Sequence, residues 1–220
     1  MTFRTLLLTA ATAVVALALV IASGATLDGQ QMARGKAALM EDIGPLEQAP
    51  DMYKASFDTS KGTFVIQVHR DWAPFGADRF YALVNRGYFD GNRFFRVTDI
   101  LVQFGVNGDP EISKHWIGAK IPDDKPGMHS NVVGTVGFLQ ANFRRTQMMI
   151  SREDNPVLDR QITPIGEVMS GMDVLGRLFP VEIAPAGTGP TFTQLFQDGT
   201  PFLEKEHPEM DYIKMATIVM

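Results

Sequence analysis

Phe94-Phe95-Arg96-Val97-Thr98-Asp99-Ile100-Leu101-Val102-Gln103-Phe104-Gly105 is the stretch on which the fold turns. It divides into two short strand-like runs joined through Thr98-Asp99. Aromatic and β-branched residues alternate with single polar ones, the pattern of a pleated surface with two differently used faces. By that alternation Arg96 shares a face with Phe94 and Thr98, and Gln103 shares one with Leu101 and Gly105. A guanidinium and a carboxamide are thereby set among apolar neighbours.

On the N-terminal side, Phe57 and Thr59 lead through the tight turn Ser60-Lys61-Gly62 into Phe64, Ile66 and Val68. These alternate with Thr63, Val65, Gln67 and His69, a hairpin pattern. Ala73-Pro74 ends the strand. Phe75, Phe80, Leu83 and Val84 are then spaced for one buried helix face, and Gly87 suits the C-terminal cap. On the C-terminal side, residues 112–130 hold the turn formers Pro122, Asp123, Asp124 and Pro126-Gly127, and predict a long loop. Strands are predicted over 132–139, 147–150, 162–168 and 212–219. Ser170 is placed to cap a short helix burying Met172, Leu175 and Leu178. Residues 180–190, with several Gly and Pro, read as an excursion. Many short strands, two helices and no βαβ rhythm give a mainly β class, an antiparallel barrel or sandwich.

The N-terminus reads differently. Arg4 precedes an uncharged run of 17 residues, Leu6 to Ala22, and small residues follow at Ser23-Gly24-Ala25. A basic start, an apolar core and a small-x-small exit describe a secretory signal over residues 1–25, with Ser23 and Ala25 at positions −3 and −1. The run falls just short of a bilayer span. The rival reading is therefore an uncleaved membrane anchor, a tether through residues 5–22 with Arg4 on the cytoplasmic side. Both readings imply export: a periplasmic or secreted protein if the segment is removed, one held at the inner membrane if it stays. Residues 26–52 read as a tether, in which Met32, Lys36, Leu39, Met40 and Ile43 outline one short amphipathic helix that Gly44-Pro45 would stop. Residues 53–220 read as the folded domain, long enough to bury a core.

Composition excludes several classes. A formal charge of −5 argues against a general nucleic-acid surface, which needs clustered Lys and Arg. The absence of Cys removes disulfides, thiolate nucleophiles and Cys-ligated metals. His69, His115, His129 and His207 lack metal-ligand spacing, so no metal or other cofactor is expected. Asp123-Asp124 and Glu153-Asp154 are paired carboxylates in turn-rich sequence, without an apolar pocket to raise a pKa. There is no Gly-x-Ser-x-Gly elbow, and Gly187-Thr188-Gly189 is too short and Pro-flanked for a phosphate loop.

An ordered set of motifs carries a family resemblance. Phe57-Asp58-Thr59-Ser60-Lys61-Gly62-Thr63-Phe64, Ala73-Pro74, Phe80-Tyr81-Ala82-Leu83-Val84, Gly87-Tyr88-Phe89-Asp90-Gly91 and Phe94-Phe95-Arg96-Val97 follow one another as in cyclophilins. Gln103-Phe104-Gly105, Gly134-Thr135-Val136, Thr146-Gln147, Leu158-Asp159 and Gly171-Met172-Asp173-Val174 continue the match over about residues 53–219. The end, from Phe202-Leu203 through His207-Pro208 to Asp211-Tyr212-Ile213, resembles a bacterial branch of that family. The resemblance implies an eight-stranded antiparallel barrel capped by two α-helices, here preceded by an N-terminal apolar helix. It also implies peptidyl-prolyl cis-trans isomerase activity in a groove on the outer wall, proline-containing polypeptides as partners and a monomeric state. By the same correspondence Arg96 and Gln103 are the catalytic pair, and Ile100, Leu101, Leu139, Gln147, Met149 and Leu158 bind substrate.

Elementary chemistry suits that assignment. Rotating an X-Pro bond means losing amide resonance against a barrier of ~18–20 kcal/mol. An apolar pocket that grips the ring and a donor aimed at the prolyl nitrogen suffice, because that nitrogen's lone pair localises only when the bond is twisted. A guanidinium, always charged and with N–H groups in fixed directions, fits the donor role. Gln103 would then orient Arg96 or hold a substrate carbonyl. Without the family context Arg96 reads as a solvent-facing strand residue, Gln147 as a strand residue beside the groove, and Met149 and Leu158 as core.

The chain also departs from the family. Ile100 and Met149 stand where an aromatic is usual, Val157 where Trp is frequent, and Ile162 where His or an aromatic is frequent. The link between Arg96 and Gln103 is one residue shorter than usual, and the loop from Leu139 to Thr146 is trimmed. Reduced turnover is expected, since each lost ring contact removes roughly 0.5–1.5 kcal/mol. The alternative function is a catalytically weak chaperone or Pro-peptide binding module on the same fold.

Overall fold

The computed structural model describes residues 35–41, 47–139 and 145–219. The expectations for residues 1–25, for most of the tether and for the loop between Leu139 and Thr146 lie outside them. The chain divides after Glu41. In the first unit residues 35–40 are helical, as the spacing of Lys36, Leu39 and Met40 predicts. No helix among the described residues is long and apolar enough to cross a membrane.

The second unit is built from eight antiparallel strands: β1 (Met52–Thr59), β2 (Gly62–His69), β3 (Arg96–Val97), β4 (Leu101–Phe104), β5 (Thr135–Phe138), β6 (Met148–Ser151), β7 (Pro164–Ser170) and β8 (Ile213–Val219). Their order in the sheet is β3-β4-β6-β5-β7-β2-β1-β8. The sheet curls into a half-barrel, and the segment just ahead of β3 meets the start of β8. Gly91 N donates to Ile213 O at 2.8 Å, Ile213 N to Asn92 O at 2.9 Å and Phe94 N to Asp211 O at 3.0 Å. These bonds pair backbone groups of residues 91–94 and 211–213 that would otherwise stand at an open edge.

The period-2 pattern of the first hairpin decides what fills the barrel. Tyr53, Ala55, Phe57 and Thr59 of β1 point inward, as do Phe64, Ile66 and Val68 of β2. Phe57 is opposite Phe64 in the register and stacks on it at 5.0 Å between ring centres. It also meets Phe80, Phe89 and Phe104 at 5.7–6.0 Å. All five rings are fully buried, each removal from water contributing roughly 1.5–3 kcal/mol.

The helix predicted before Gly87 is α1 (Pro74–Asn85), which lays Phe80, Leu83 and Val84 on the core. Gly87 follows its C-cap at φ +69°. Phe75, placed by spacing on the buried face, is exposed, because it sits in the first turn at the barrel's rim. The short helix α3 (Met172–Gly176) is present, but Gly171 is its N-cap and Ser170 ends β7.

Three further helices change the picture of a barrel with two caps: α2 (Pro110–Trp116), which runs into the start of the segment predicted as loop, then α4 (Phe192–Gln197) and α5 (Gly199–Glu206). Their end signals are legible in hindsight. Asp109 accepts the Glu111 N–H at the start of α2, just ahead of Pro110, and Thr191 with Gln194 forms a capping box at α4.

Candidate functional site

β3 and β4 place Arg96 directly opposite Gln103. The two side chains line a groove of about 700 Å³ together with Leu101, Leu139, Gln147, Met149 and Leu158. The floor comes from β6, where Gln103 pairs with Met149, and from the 3-10 turn Pro156–Arg160, which carries Leu158. Seven of the eight predicted site residues therefore converge on one cavity.

Ile100 does not join them. Thr98 N donates to Leu101 O at 2.9 Å, closing a turn with Asp99 and Ile100 at its tip. Arg152 N and Glu153 N both donate to Ile100 O, at 2.8 and 3.3 Å, and fix that tip against β6. With so short a connection, the Ile100 side chain is 46 % exposed and outside the groove. Val157 is likewise exposed, whereas Ile162 is buried and lines the cavity beside Met149. Phe94 also departs from the expected alternation: the ladder to β4 begins at Arg96, and Phe94 turns inward onto Phe104.

The groove has a second wall that residue spacing did not reveal. Trp116 and Ile117 close one side, and Ile183, Phe192 and Phe196 another. Phe192 and Phe196 are four apart on α4 and so share a face. Phe192 packs edge-on against Phe95, the neighbour of Arg96, at 6.1 Å. Trp116 is buried and backed by the guanidinium groups of Arg79 and Arg86 at 5.3 and 5.9 Å from its ring centre. Burial, and then the charge of Arg86, lowers the Arg79 pKa to about 10. Below Gly105 the Tyr88 phenol is pushed up to about 12 by burial, so it is a fixed neutral group at ordinary pH.

Arg96 has a partner from outside the barrel strands. Its Nε donates to Glu182 Oε2 at 2.8 Å. Glu182 belongs to the excursion between Pro180 and Pro190, which reaches the site because Val181 bridges Val97 through hydrogen bonds of 2.7 and 3.1 Å. The Gln103 carboxamide makes no hydrogen bond to another described residue, so Gln103 does not hold Arg96. No group of three or more His, Cys, Asp or Glu among the described residues is arranged to hold a metal ion. What the groove offers is an apolar floor, the Arg96 guanidinium and the Gln103 carboxamide, with Arg145, Gln147 and Gln161 also in its lining.

The family model for cyclophilin type peptidyl-prolyl cis-trans isomerases matches residues 54–188. The peptidyl-prolyl cis-trans isomerase-like 1 of Rhizopus delemar is 32% identical over 126 residues, 55% of this chain and 76% of that protein. The peptidyl-prolyl cis-trans isomerase ppi1 of Schizosaccharomyces pombe is 31% identical over 132 residues, 58% of this chain and 85% of that one. Among solved structures, a cyclophilin type isomerase of Cryptosporidium parvum in the presence of the dipeptide Ala-Pro superposes with a TM-score of 0.54 at 16% identity, over 76% of this chain and 99% of that one.

Proposed function

Since the chain belongs to the cyclophilin-type peptidyl-prolyl cis-trans isomerase family, we propose that its groove isomerises X-Pro bonds of polypeptides, with Arg96 as the catalytic donor. The observation that carries this reading is the direct pairing of Arg96 with Gln103 above the apolar floor of Met149 and Leu158. A proline ring seated on that floor places its nitrogen beside the Nη groups of Arg96, which have no other partner among the described residues. A charged donor meeting the lone pair of the twisted bond stabilises the transition state more than the planar ground state. Gln103, its amide free, holds a backbone carbonyl of the substrate and opposes slippage of the peptide while the bond turns.

The test is catalysed exchange between cis and trans forms of a proline tetrapeptide, followed by NMR. Replacing Arg96 by Ala removes one donor that acts in the transition state, and kcat/KM is expected to fall by about 10²–10³. Equal rates for the two proteins would overturn the reading.

One observation favours a second reading. Ile100 and Val157 both lie outside the cavity, so the rings that the family puts there are missing from this groove. A groove that grips Pro-containing segments without useful turnover would shift Met149 and Leu158 resonances on peptide addition and leave exchange rates unchanged. We place the isomerase first because the donor pair is intact. The substrates we propose are exported polypeptides, on the basis of Arg4, the run Leu6 to Ala22 and Ser23-Gly24-Ala25. Fractionation of cells expressing the full chain tests this: recovery in the cytoplasm would exclude it. We also assign the chain to the bacterial branch on its 202–213 segment, an assignment that rests on those residues alone.

A further inference from the structure

We propose that Glu182 is a positioning residue: its carboxylate holds the Nε edge of the Arg96 guanidinium and so delivers the two Nη groups into the groove. The inference rests on the reading of Arg96 as the donor and assigns the work of aiming it to a residue outside the barrel.

The geometry is that of a rigid bracket. Glu182 Oε2 accepts from Arg96 Nε at 2.8 Å, while Oε1 accepts the Ile183 backbone N–H at 3.1 Å, so both carboxylate oxygens are engaged. The Glu182 backbone is held as well. On one side Val181 is laddered to Val97, the residue after Arg96. On the other, Glu182 O accepts Gly189 N at 2.9 Å, and Ile183 O accepts Gly187 N at 3.0 Å. Gly187 and Gly189 press against Glu182 without side chains. A Cβ on Gly187 would lie 2.5 Å from Glu182 O and 2.6 Å from Glu182 Cβ, and one on Gly189 would lie 2.7 Å from Glu182 O. The two glycines that resemble no phosphate loop thus let the excursion fold tightly around one carboxylate.

The ion pair is partly exposed, with side chains 35% and 24% accessible, so as a stability device it is weak. Its effect is on orientation. An arginine side chain has several freely rotating bonds, and a donor that must be found anew in each turnover slows the step it serves. Engagement through Nε leaves both Nη groups without a described partner, on a side chain that lines the cavity. Gln103, directly opposite in the sheet, makes no such contact.

The experiment compares Glu182→Ala, Glu182→Gln, Arg96→Ala and the double variant Arg96→Ala/Glu182→Ala of the full chain in the exchange assay. Glu182→Ala is expected to lower kcat about tenfold with KM within about twofold. Glu182→Gln is expected to recover most of the rate, because its amide oxygen still accepts from Nε. The double variant is expected to match Arg96→Ala alone, since a residue acting only through Arg96 has nothing left to aim. In a 1H–15N spectrum the Arg96 Nε–Hε signal of the wild-type protein is expected to exchange slowly with water, and to lose that protection in Glu182→Ala.

An unchanged or faster Glu182→Ala overturns the proposal, the faster case marking Glu182 as a competitor for the guanidinium. A double variant slower than Arg96→Ala also overturns it. If Arg96→Ala itself runs at the wild-type rate, the reading of the donor falls and this proposal with it. If Arg96→Ala is slow and Glu182→Ala is not, the proposal alone falls. Should Glu182→Ala fail to fold, the Nε–Hε signal of the wild-type protein still decides, and rapid exchange there overturns the bracket.

Discussion

Gly105 and Thr146 are in such close approach that the backbone of β4's end and that of the residue before Gln147 leave no room for a side chain. Thr146 Oγ1 donates to Gly105 O at 2.9 Å, Gly105 has φ +100°, and an added Cβ would overlap the Thr146 carbonyl oxygen. Strain at such a φ costs ~1–3 kcal/mol and overpacking ~1–3 kcal/mol more. Gly105→Ala is therefore expected to lower stability by about 3 kcal/mol or more, read as a fall in the denaturation midpoint. A stability within 1 kcal/mol of wild type would contradict the packing described.

Gln103 is buried to 5% accessibility yet spends its carboxamide on no described protein group. If it holds a substrate carbonyl, Gln103→Ala removes one hydrogen bond of about 1–1.5 kcal/mol and lowers kcat/KM about tenfold in the exchange assay. Because the amide makes no hydrogen bond to a described residue, Tm is expected to change by less than about 2 °C. A large fall in Tm with unchanged kcat/KM would make it a structural residue instead.

Asp124, one of a carboxylate pair without an evident role in the sequence, caps α1 from a distance. Its two oxygens accept the Phe75 and Gly76 N–H groups, both at 2.9 Å, where Ala73 at the N-cap offers no acceptor. Asp124→Ala leaves two donors unpaired and is expected to cost about 1–2 kcal/mol, or roughly 2–8 °C in Tm. Asp124→Asn keeps one acceptor and is expected to fall between. Equal melting of all three proteins would remove the cap from the account.

Asp159 gives the expected acid dependence. It accepts from Ser130 Oγ at 2.7 Å and from Asn131 N and Nδ2 at 2.7 and 3.0 Å, tying the turn that carries Leu158 to the segment before β5. Burial raises its pKa, but these hydrogen bonds outweigh it and hold the group below its ordinary 3.8. A depressed carboxylate contributes stability that is fully present above the unfolded-state value and is lost as pH falls through the folded one. Asp159→Asn is thus expected to melt several degrees below wild type at pH 7, with the gap closing below pH 4. A gap independent of pH would show that the charge is not what the clamp uses.

Much of the molecule was legible in residue pattern alone. The β1–β2 hairpin follows from strict alternation about Lys61-Gly62, and α1 from the spacing of Phe80, Leu83 and Val84 before Gly87. Arg96 and Gln103 stood out because polar groups on otherwise apolar strands need an explanation. Glu182 did not, since its approach depends on Val181 meeting Val97, a bridge between residues 84 apart that no local pattern encodes. Ile100 was misplaced for a steric reason. Family position counts residues, whereas a turn one residue shorter changes which of them faces the groove. Helices α2 and α4 carried their capping signals in plain view, but at six or seven residues each they are too short for apolar periodicity to register.

The seam between residues 91–94 and 211–213 sets an order of events. Asn92 and Phe94, just upstream of Arg96, find their backbone partners more than 115 residues later. A nascent chain still lacking residues 211–219 presents two open strand edges, at β1 and ahead of β3, each able to recruit a foreign strand. The sheet therefore covers these edges only once synthesis has passed β8, and a chain truncated before Asp211 is expected to aggregate more readily than the full chain.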